Sequence, residues 1–401
     1  MTRESAPTPP SERIVSLDVL RGFALLGILI INIRLFSMPE LALLNPHAYG
    51  DLTGANYWVW LLGHVLAEGK FITLFTFLFG AGVVLFTGGS ERNGRSVRRL
   101  YYRRSALLVA FGLGHAYLLW YGDVLFAYGV CAFVVVAFRD RSVRSLLVIG
   151  TLLYAVPSVI EVLSGLTAGA AAISDSWQPA ESVIRAEIEA YRGGWLAQME
   201  HRVPSSFRRQ TAGLLGYTGW RVSGAMLFGM ALFKSGVLGN DRSSGFYTRL
   251  IVGGAVVGLG TVLAGVAYIR ANDWSAGAAL FWRQFNYWGA LPLAAAYSGA
   301  IVRYCRWRPD GTETKALAAV GRTAFSNYLL QTVLATSVFY GHGLGLFGSV
   351  SRTEALAVVV GIWALQIPLS VAWLRRFRFG PMEWLWRVLT YGRRQPLRSE
   401  G

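Results

Sequence analysis

Charge is scarce in this sequence. Only 15% of its 401 residues are Asp, Glu, Lys or Arg, where a soluble domain carries about a quarter. With 54% hydrophobic residues and a mean hydropathy of +0.42, an ordinary soluble domain is excluded. Cysteine is nearly absent. Cys131 falls in an apolar run and Cys305 in an Arg-rich loop, so neither a disulfide nor a zinc site is expected. The motifs of soluble enzymes are missing as well: there is no P-loop, GxSxG elbow, HExxH or CxxC pair. The leader Met1 to Arg13 lacks lipidation signals, and no short apolar core with a small-x-small cleavage pattern follows it, so the first apolar segment should be retained. No internal repeat is evident, which removes the inverted-repeat signature of many transporters.

What the sequence has in quantity is long apolar runs, the mark of an all-α polytopic membrane protein. Ten spans are expected, at about 19–36, 71–88, 104–121, 122–138, 144–164, 214–233, 249–270, 284–302, 316–340 and 353–374. The 46 glycines suit closely packed membrane helices. The net charge of +16 could suggest nucleic acid, but its distribution reads as orientation. With the N-terminus in the cytoplasm, the loops holding Arg92, Arg95, Arg98 and Arg99, then Arg139 and Arg141, then Arg303, Arg306 and Arg308, all face inward. Both termini are therefore expected to be cytoplasmic. Residues 1–16 form a flexible leader. A single transmembrane domain covers 17–374, with an extracytoplasmic loop at about 165–213, and a cytoplasmic tail runs from 375 to 401. Interfacial amphipathic helices are expected at 57–68 and in "GPMEWLWRVLTYG", where Gly380-Pro381 signals helix entry, and an extracytoplasmic amphipathic helix at 180–200.

Polar residues inside apolar spans are costly and point to function. The opening stretch "SLDVLRGFALLGILIINIR" carries Asp18, Arg21 and Asn32. Arg21 and Asn32 are eleven residues apart, about three turns at 3.6 residues per turn, so the three share a face, while Arg34 points away and can snorkel. The alternative is an i,i+3 ion pair with Asn32 bonding a neighbouring helix. In the third span, His115 precedes a tight turn containing Asp123. An imidazole at that depth can act as base or nucleophile with a carboxylate fixing its tautomer, or it can be a packing histidine with Asp123 capping the next helix. His47 and His342 fall in outward loops, His64 in the interfacial helix and His201 in the long loop; these are weaker candidates. Asn327 and Gln331 follow Thr323 at four-residue spacing on one face, suited either to an amide-bearing ligand or to gluing helices. Lys70, at the mouth of the second span, either snorkels or pairs with a polar group in a cavity.

The stretches "LDVLRGFALLGILIINI", "LNPHAYG", "GKFITLFTFLFGAG", "LGHAYLLWYGDVLFAYG", "GRTAFSNYLLQT" and "GPMEWLWRVLTYG", in order across 17–392, closely resemble the YeiB-like bacterial membrane proteins, a family of unknown function. That family looks related to the transmembrane acyltransferases, which include heparan-glucosamine acetyltransferases and share the pattern Leu17-Asp18-x-x-Arg21-Gly22. The resemblance implies a multi-pass protein of the bacterial cytoplasmic membrane that moves an acyl group from cytosolic acyl-CoA, with acetyl-CoA as the expected donor. The acceptor would be an extracytoplasmic hydroxyl or amine on a sugar or glycoconjugate. The matching stretches include Asp18, Arg21, Asn32, Lys70, His115, Asp123, Asn327 and Gln331; the enzyme reading takes His115 and Asp123 as the catalytic pair and the other six as the donor site. The expected partners are that acceptor and membrane lipids, with no nucleic acid and no metal; a homodimer is left open. The other reading of the same buried polar residues is a transporter or flippase of a small polar solute or lipid-linked sugar, with His115 and Asp123 relaying protons. A third is a membrane scaffold.

Overall fold

Serine begins four of the long helices. Ser142, Ser243, Ser275 and Ser351 each accept a hydrogen bond from the backbone N–H three residues on, which satisfies donors that a helix start leaves open. At Ser351 the cap is reciprocal, Glu354 bonding back. A computed structural model describes residues 14–91 and 97–398. The leader up to residue 13, Arg92, Arg95 and residues 399–401 lie outside the described residues.

The described residues are all-helical, with no strand beyond one isolated bridge between Phe377 and Arg398. In chain order the helices are α1 (Val15–Ser37), α2 (Leu41–Leu44), α3 (Gly54–Leu62), α4 (Lys70–Glu91), α5 (Val97–Leu118) and α6 (Leu125–Val135). There follow α7 (Val143–Ala168), α8 (Ser174–Trp177), α9 (Glu181–Arg192), α10 (Met199–Gln210), α11 (Gly219–Lys234) and α12 (Ser244–Ala271). The last five are α13 (Ala276–Trp307), α14 (Thr312–Arg322), α15 (Ala324–Phe339), α16 (Arg352–Arg376) and α17 (Pro381–Tyr391). Five helical stretches are long and apolar enough to cross a membrane: Val15–Ser37, Gly54–Gly88, Val143–Ala171, Ser244–Ala271 and Arg352–Arg376.

Burial sorts these stretches. The apolar window of α1 is 72% buried, against 22% for that of α12. The first helix is thus the axis of the bundle, enclosed by α4 and α13 to α16, while α7, α12 and α16 turn apolar faces outward. The closest crossing on this axis joins α1 to α14. A Cβ on Gly22 would lie 2.1 Å from the Leu317 carbonyl, and one on Gly321 only 1.8 Å from that of Asp18. Backbones meet there because both sides lack side chains.

Three expected elements differ. The span at 316–340 is broken at Thr323 into α14 and α15. Glu383 of α17 reaches back to accept from the N–H groups of Phe325 (2.6 Å) and Ser326 (3.1 Å), an N-terminal cap supplied from far along the chain. The segment at 57–68 is not a free interfacial helix. It comprises α3 and one π turn, Gly63–Ala67, packed inward so that Trp60 is buried while Trp58 stays exposed. Gly69, at φ +82°, makes the left-handed step into α4. Residues 180–200 form no single helix, but α9 and the start of α10. Arg202 of α10 is fully buried and donates to the carbonyl of Leu118 at the end of α5 (2.8 Å), capping a helix C-terminus.

Candidate functional site

Two cavities flank the middle of α1. The one at its N-terminal half has a volume of about 780 Å³, and the one at its C-terminal half about 520 Å³. Both fall in the range that holds small ligands. Ile28 of α1, with Val124 and Tyr128 around the start of α6, lines both, so these three side chains form the partition. The Tyr128 hydroxyl is tied to Thr76 Oγ1 at 2.6 Å.

The larger cavity is cationic at one end and apolar deeper in. Arg21, Arg104, Arg322, Arg378 and Arg387 line it against two carboxylates, Asp18 and Glu383. Arg21 donates to Asp18 at 2.8 Å, the expected i,i+3 pair. Arg104 lies 3.8 Å from the centre of the Trp386 ring, a cation–π placement that holds a guanidinium without a counter-ion. Leu25, Phe75, Phe79 and Leu108 continue the wall toward the partition.

The smaller cavity sets several polar and charged side chains into a largely apolar wall. Asn32 lines it, and its amide has no hydrogen-bond partner among the described residues. The polar face of α1 is therefore split by Ile28, with Asp18 and Arg21 on one side and Asn32 on the other. Arg34 does not snorkel. It is 7% exposed, donates to the carbonyl of Trp60 (3.2 Å) and lies 3.7 Å from Glu68, because Gly63 leaves room for the guanidinium against α3.

Two histidine–carboxylate pairs border this cavity. His115 Nδ1 is 2.8 Å from Asp123 Oδ2, while its Nε2 is 2.9 Å from Thr332 Oγ1. Asp123 lines the smaller cavity and also accepts from the N–H of Phe126 (2.8 Å), capping α6. The geometry thus joins the pairing and the capping readings of this residue. His115 itself lines neither cavity, and both its nitrogens are engaged. The second pair is His64 with Glu68, Nδ1 to Oε2 at 3.2 Å, on the π turn. Both residues line the smaller cavity. The imidazole stacks between Trp60 and Trp282, with ring centres 5.5 and 5.2 Å away. Its Nε2 is buried and has no partner among the described residues. Other buried side-chain atoms share this state, so it is the position of His64 on the cavity wall beside Glu68 that singles it out. A second π turn, Leu214–Thr218, brings Tyr217 to the same cavity; such turns concentrate at functional sites.

Lys70, Asn327 and Gln331 line neither cavity. Lys70 is fully buried and donates to the carbonyl of His64 (2.7 Å) and to Asn286. Asn327 donates to Thr323 (2.9 Å) and Ser370 (2.8 Å), and Gln331 to Gln366 (3.1 Å). Asn327 and Gln331 thus bond neighbouring helices, whereas Lys70 pairs with a polar group, Asn286, that lines the smaller cavity. His64 was missed as a partner of Glu68, although their i,i+4 spacing was a usable signal. Arg221, alone in an apolar span, was a second. Thr332 carried no signal, because only the fold sets it opposite His115.

The protein YeiB of Escherichia coli strain K12 is 38% identical over 387 residues, covering 94% of this chain and 96% of that protein. The chain belongs to the YeiB-like family. YxaH of Bacillus subtilis strain 168 is 32% identical over 411 residues, at 98% and 97% coverage. A protein of Bacillus acidopullulyticus, described as a 39.9 kDa protein in the amylase 3′ region, is 25% identical over 410 residues. All three relatives are described as uncharacterized. Residues 232–393 also match a family model described as a protein of unknown function, DUF418. In this YeiB-like chain that match takes in α14 to α17, including Glu383 and Thr332.

Proposed function

We propose that this protein is a multi-pass transferase of the bacterial cytoplasmic membrane, moving an acyl group from acyl-CoA to a hydroxyl or amine on a small acceptor. The observation that carries the reading is the pair of cavities meeting at Ile28, Val124 and Tyr128. A donor and an acceptor entering from opposite sides need only the side chains of this one thin partition to give way in order to react, without either crossing the membrane.

The chain crosses ten times, with both termini in the cytoplasm. Arg21 near the N-terminal end of α1, Arg375 and Arg376 at the end of α16 and Arg387 on α17 favour that orientation, and it sets the larger cavity toward the cytoplasm. Its five arginines suit the phosphates of the donor, and its apolar depth suits the acyl end. The smaller cavity then takes the acceptor. The free Nε2 supports His64 as the base: Glu68 accepts from Nδ1–H, and Nε2 takes the acceptor proton as the new bond forms at the thioester carbonyl. The carbon–sulfur bond breaks and the proton passes to the leaving thiolate. His115 positions the partition, holding Asp123, the neighbour of Val124, from one ring nitrogen and Thr332 from the other.

The test is calorimetric binding of acetyl-CoA to purified protein, paired with turnover of the donor. Wild type should bind saturably, Arg21→Ala should lose binding, and His64→Gln should bind but not turn over. Absence of binding by short- and long-chain acyl-CoA alike, or solute movement that needs no donor, would overturn the reading in favour of a carrier.

A further inference from the structure

Charges around the smaller cavity pair off almost completely. Glu40 holds Arg209 at 2.5 Å and Arg208 at 3.5 Å. Glu68 is shared by His64 and Arg34. Asp123 holds His115, and Glu161 holds Arg283 at 3.1 Å. Every carboxylate lining this cavity is therefore matched, and so are Arg209 and Arg283.

Arg221 is the remainder. It lies in α11 and lines the cavity, with no carboxylate within 4.0 Å among the described residues. Its guanidinium carbon sits 5.5 Å from the centre of the Tyr287 ring and 6.0 Å from that of Tyr217. A Cβ on Gly69 would come within 3.6 Å of its Nη2, so the guanidinium lies beside the end of the π turn that carries His64 and Glu68. An ionised group at membrane depth is costly unless paired or solvated. Two aromatic faces and a hydrogen bond to the Tyr154 hydroxyl offset part of that cost, but they leave the rest of the five-donor fork without an oxyanion to match.

We infer that the smaller cavity binds a small anionic molecule whose phosphate or carboxylate completes the Arg221 guanidinium. Resting on the transferase reading, this makes the acceptor an oxyanion-bearing compound, anchored at Arg221 with its hydroxyl or amine left toward His64. A planar guanidinium recognises either oxyanion through two parallel hydrogen bonds. The anion can belong to a soluble compound or to a lipid headgroup, which the same site would hold by the same contact.

The experiment measures binding of inorganic phosphate, glycerol 3-phosphate and acetate, by calorimetry, to protein in phosphatidylcholine nanodiscs. It is repeated with the melting temperature as readout in discs containing phosphatidylglycerol. Wild type should bind one of the soluble probes saturably, and Arg221→Gln should weaken it by about 10- to 100-fold, the range for losing a charged hydrogen-bonded contact. Arg221→Lys, which keeps the charge, should retain part of the binding and confirms that the fold survives. Stabilisation only in phosphatidylglycerol discs, lost in Arg221→Gln, assigns the anion to a lipid. Equal behaviour of wild type and Arg221→Gln with every probe and both lipid compositions overturns the inference. Acetyl-CoA binding is followed in parallel. If it persists while the anion effect is absent, the anion site falls alone; if it is absent while the anion effect holds, the transferase reading falls and the anion site stands.

Discussion

The α1–α14 crossing gives the sharpest prediction. Gly321→Ala adds one methyl group where the Asp18 carbonyl stands 1.8 Å away, and an ordinary contact needs 3.4 Å, so the backbones must part by about 1.6 Å. Gly22→Ala meets the Leu317 carbonyl at 2.1 Å and needs about 1.3 Å. Neither obstacle is a flexible side chain that can turn aside. Overpacking of this kind costs about 1–3 kcal/mol, and rigid backbone on both sides sets these two near the top of that range. The two costs should not add. Separating the helices to admit one methyl group makes room for the other, so the double variant should lose clearly less than the sum of the singles.

Gly253→Ala on α12 is the matched control, since nothing lies within 4 Å of its Cβ. Removing a helix-interior glycine there should be neutral or stabilising by up to about 1 kcal/mol. The assay is the melting temperature in detergent by size-exclusion chromatography, followed by acetyl-CoA binding. Asp18, Arg21, Gly321 and Arg322 all line the larger cavity, so Gly321→Ala should weaken binding as well as lower the melting temperature. A Gly321→Ala protein that melts with the Gly253→Ala control, or fully additive losses in the double variant, would refute the close crossing.

Three further outcomes follow from buried polar groups. Glu187 on α9, outside the spans, is 5% exposed, and burial raises its pKa from 4.5 to about 7. The stability it contributes is complete below about pH 4.5 and is lost as pH rises through 7, so Glu187→Gln should flatten the pH dependence of the protease resistance of α9 and α10 in that window; an unchanged slope would contradict the assignment. His115→Ala leaves the Asp123 carboxylate buried and unpaired, at a cost of about 3–5 kcal/mol, whereas Thr332→Val removes one hydrogen bond worth about 1 kcal/mol; equal melting shifts for the two would be inconsistent with the contacts described. Lys70→Met should destabilise strongly by stranding Asn286, and adding Asn286→Leu should recover part of the loss, because replacing both partners of a buried pair is milder than breaking it; a double variant worse than Lys70→Met would show that the pair is not the reason.

The helices were legible because apolar runs of membrane length have few alternatives. The chain is all-helical among the described residues, five helical stretches are long and apolar enough to cross a membrane, and the Asp18–Arg21 pair follows from i,i+3 spacing alone. What escaped reading depends on partners distant in sequence. The break at Thr323 is stabilised by Glu383, 60 residues later, and nothing local announces it. Arg34 looked like a snorkelling residue because its face of α1 carries no other charge, yet α3 folds inward and covers it. The same inward fold places His64 beside the cavity. Thr323, Asn327 and Gln331 do recur on one face, but periodicity cannot say whether a neighbouring helix or a ligand meets that face. Ser370 and Gln366 on α16 answer it here.

The acid, guanidinium and amide of the first helix therefore serve different ends. Asp18 accepts from Arg21 and so fixes the guanidinium at the rim of the larger cavity, while its own carbonyl packs on Gly321. One residue thus sets both the charge and the spacing at that end. Asn32, beyond Ile28, faces the other cavity with an unsatisfied amide. A polar stripe unbroken along α1 would line a continuous wet path through the bundle. Ile28, with Val124 and Tyr128, interrupts it with apolar surface and one tethered hydroxyl. Polar ends separated by a dry middle leave each end of α1 to a different cavity, and the enclosure of α1 on nearly every side is what allows it to carry those polar groups.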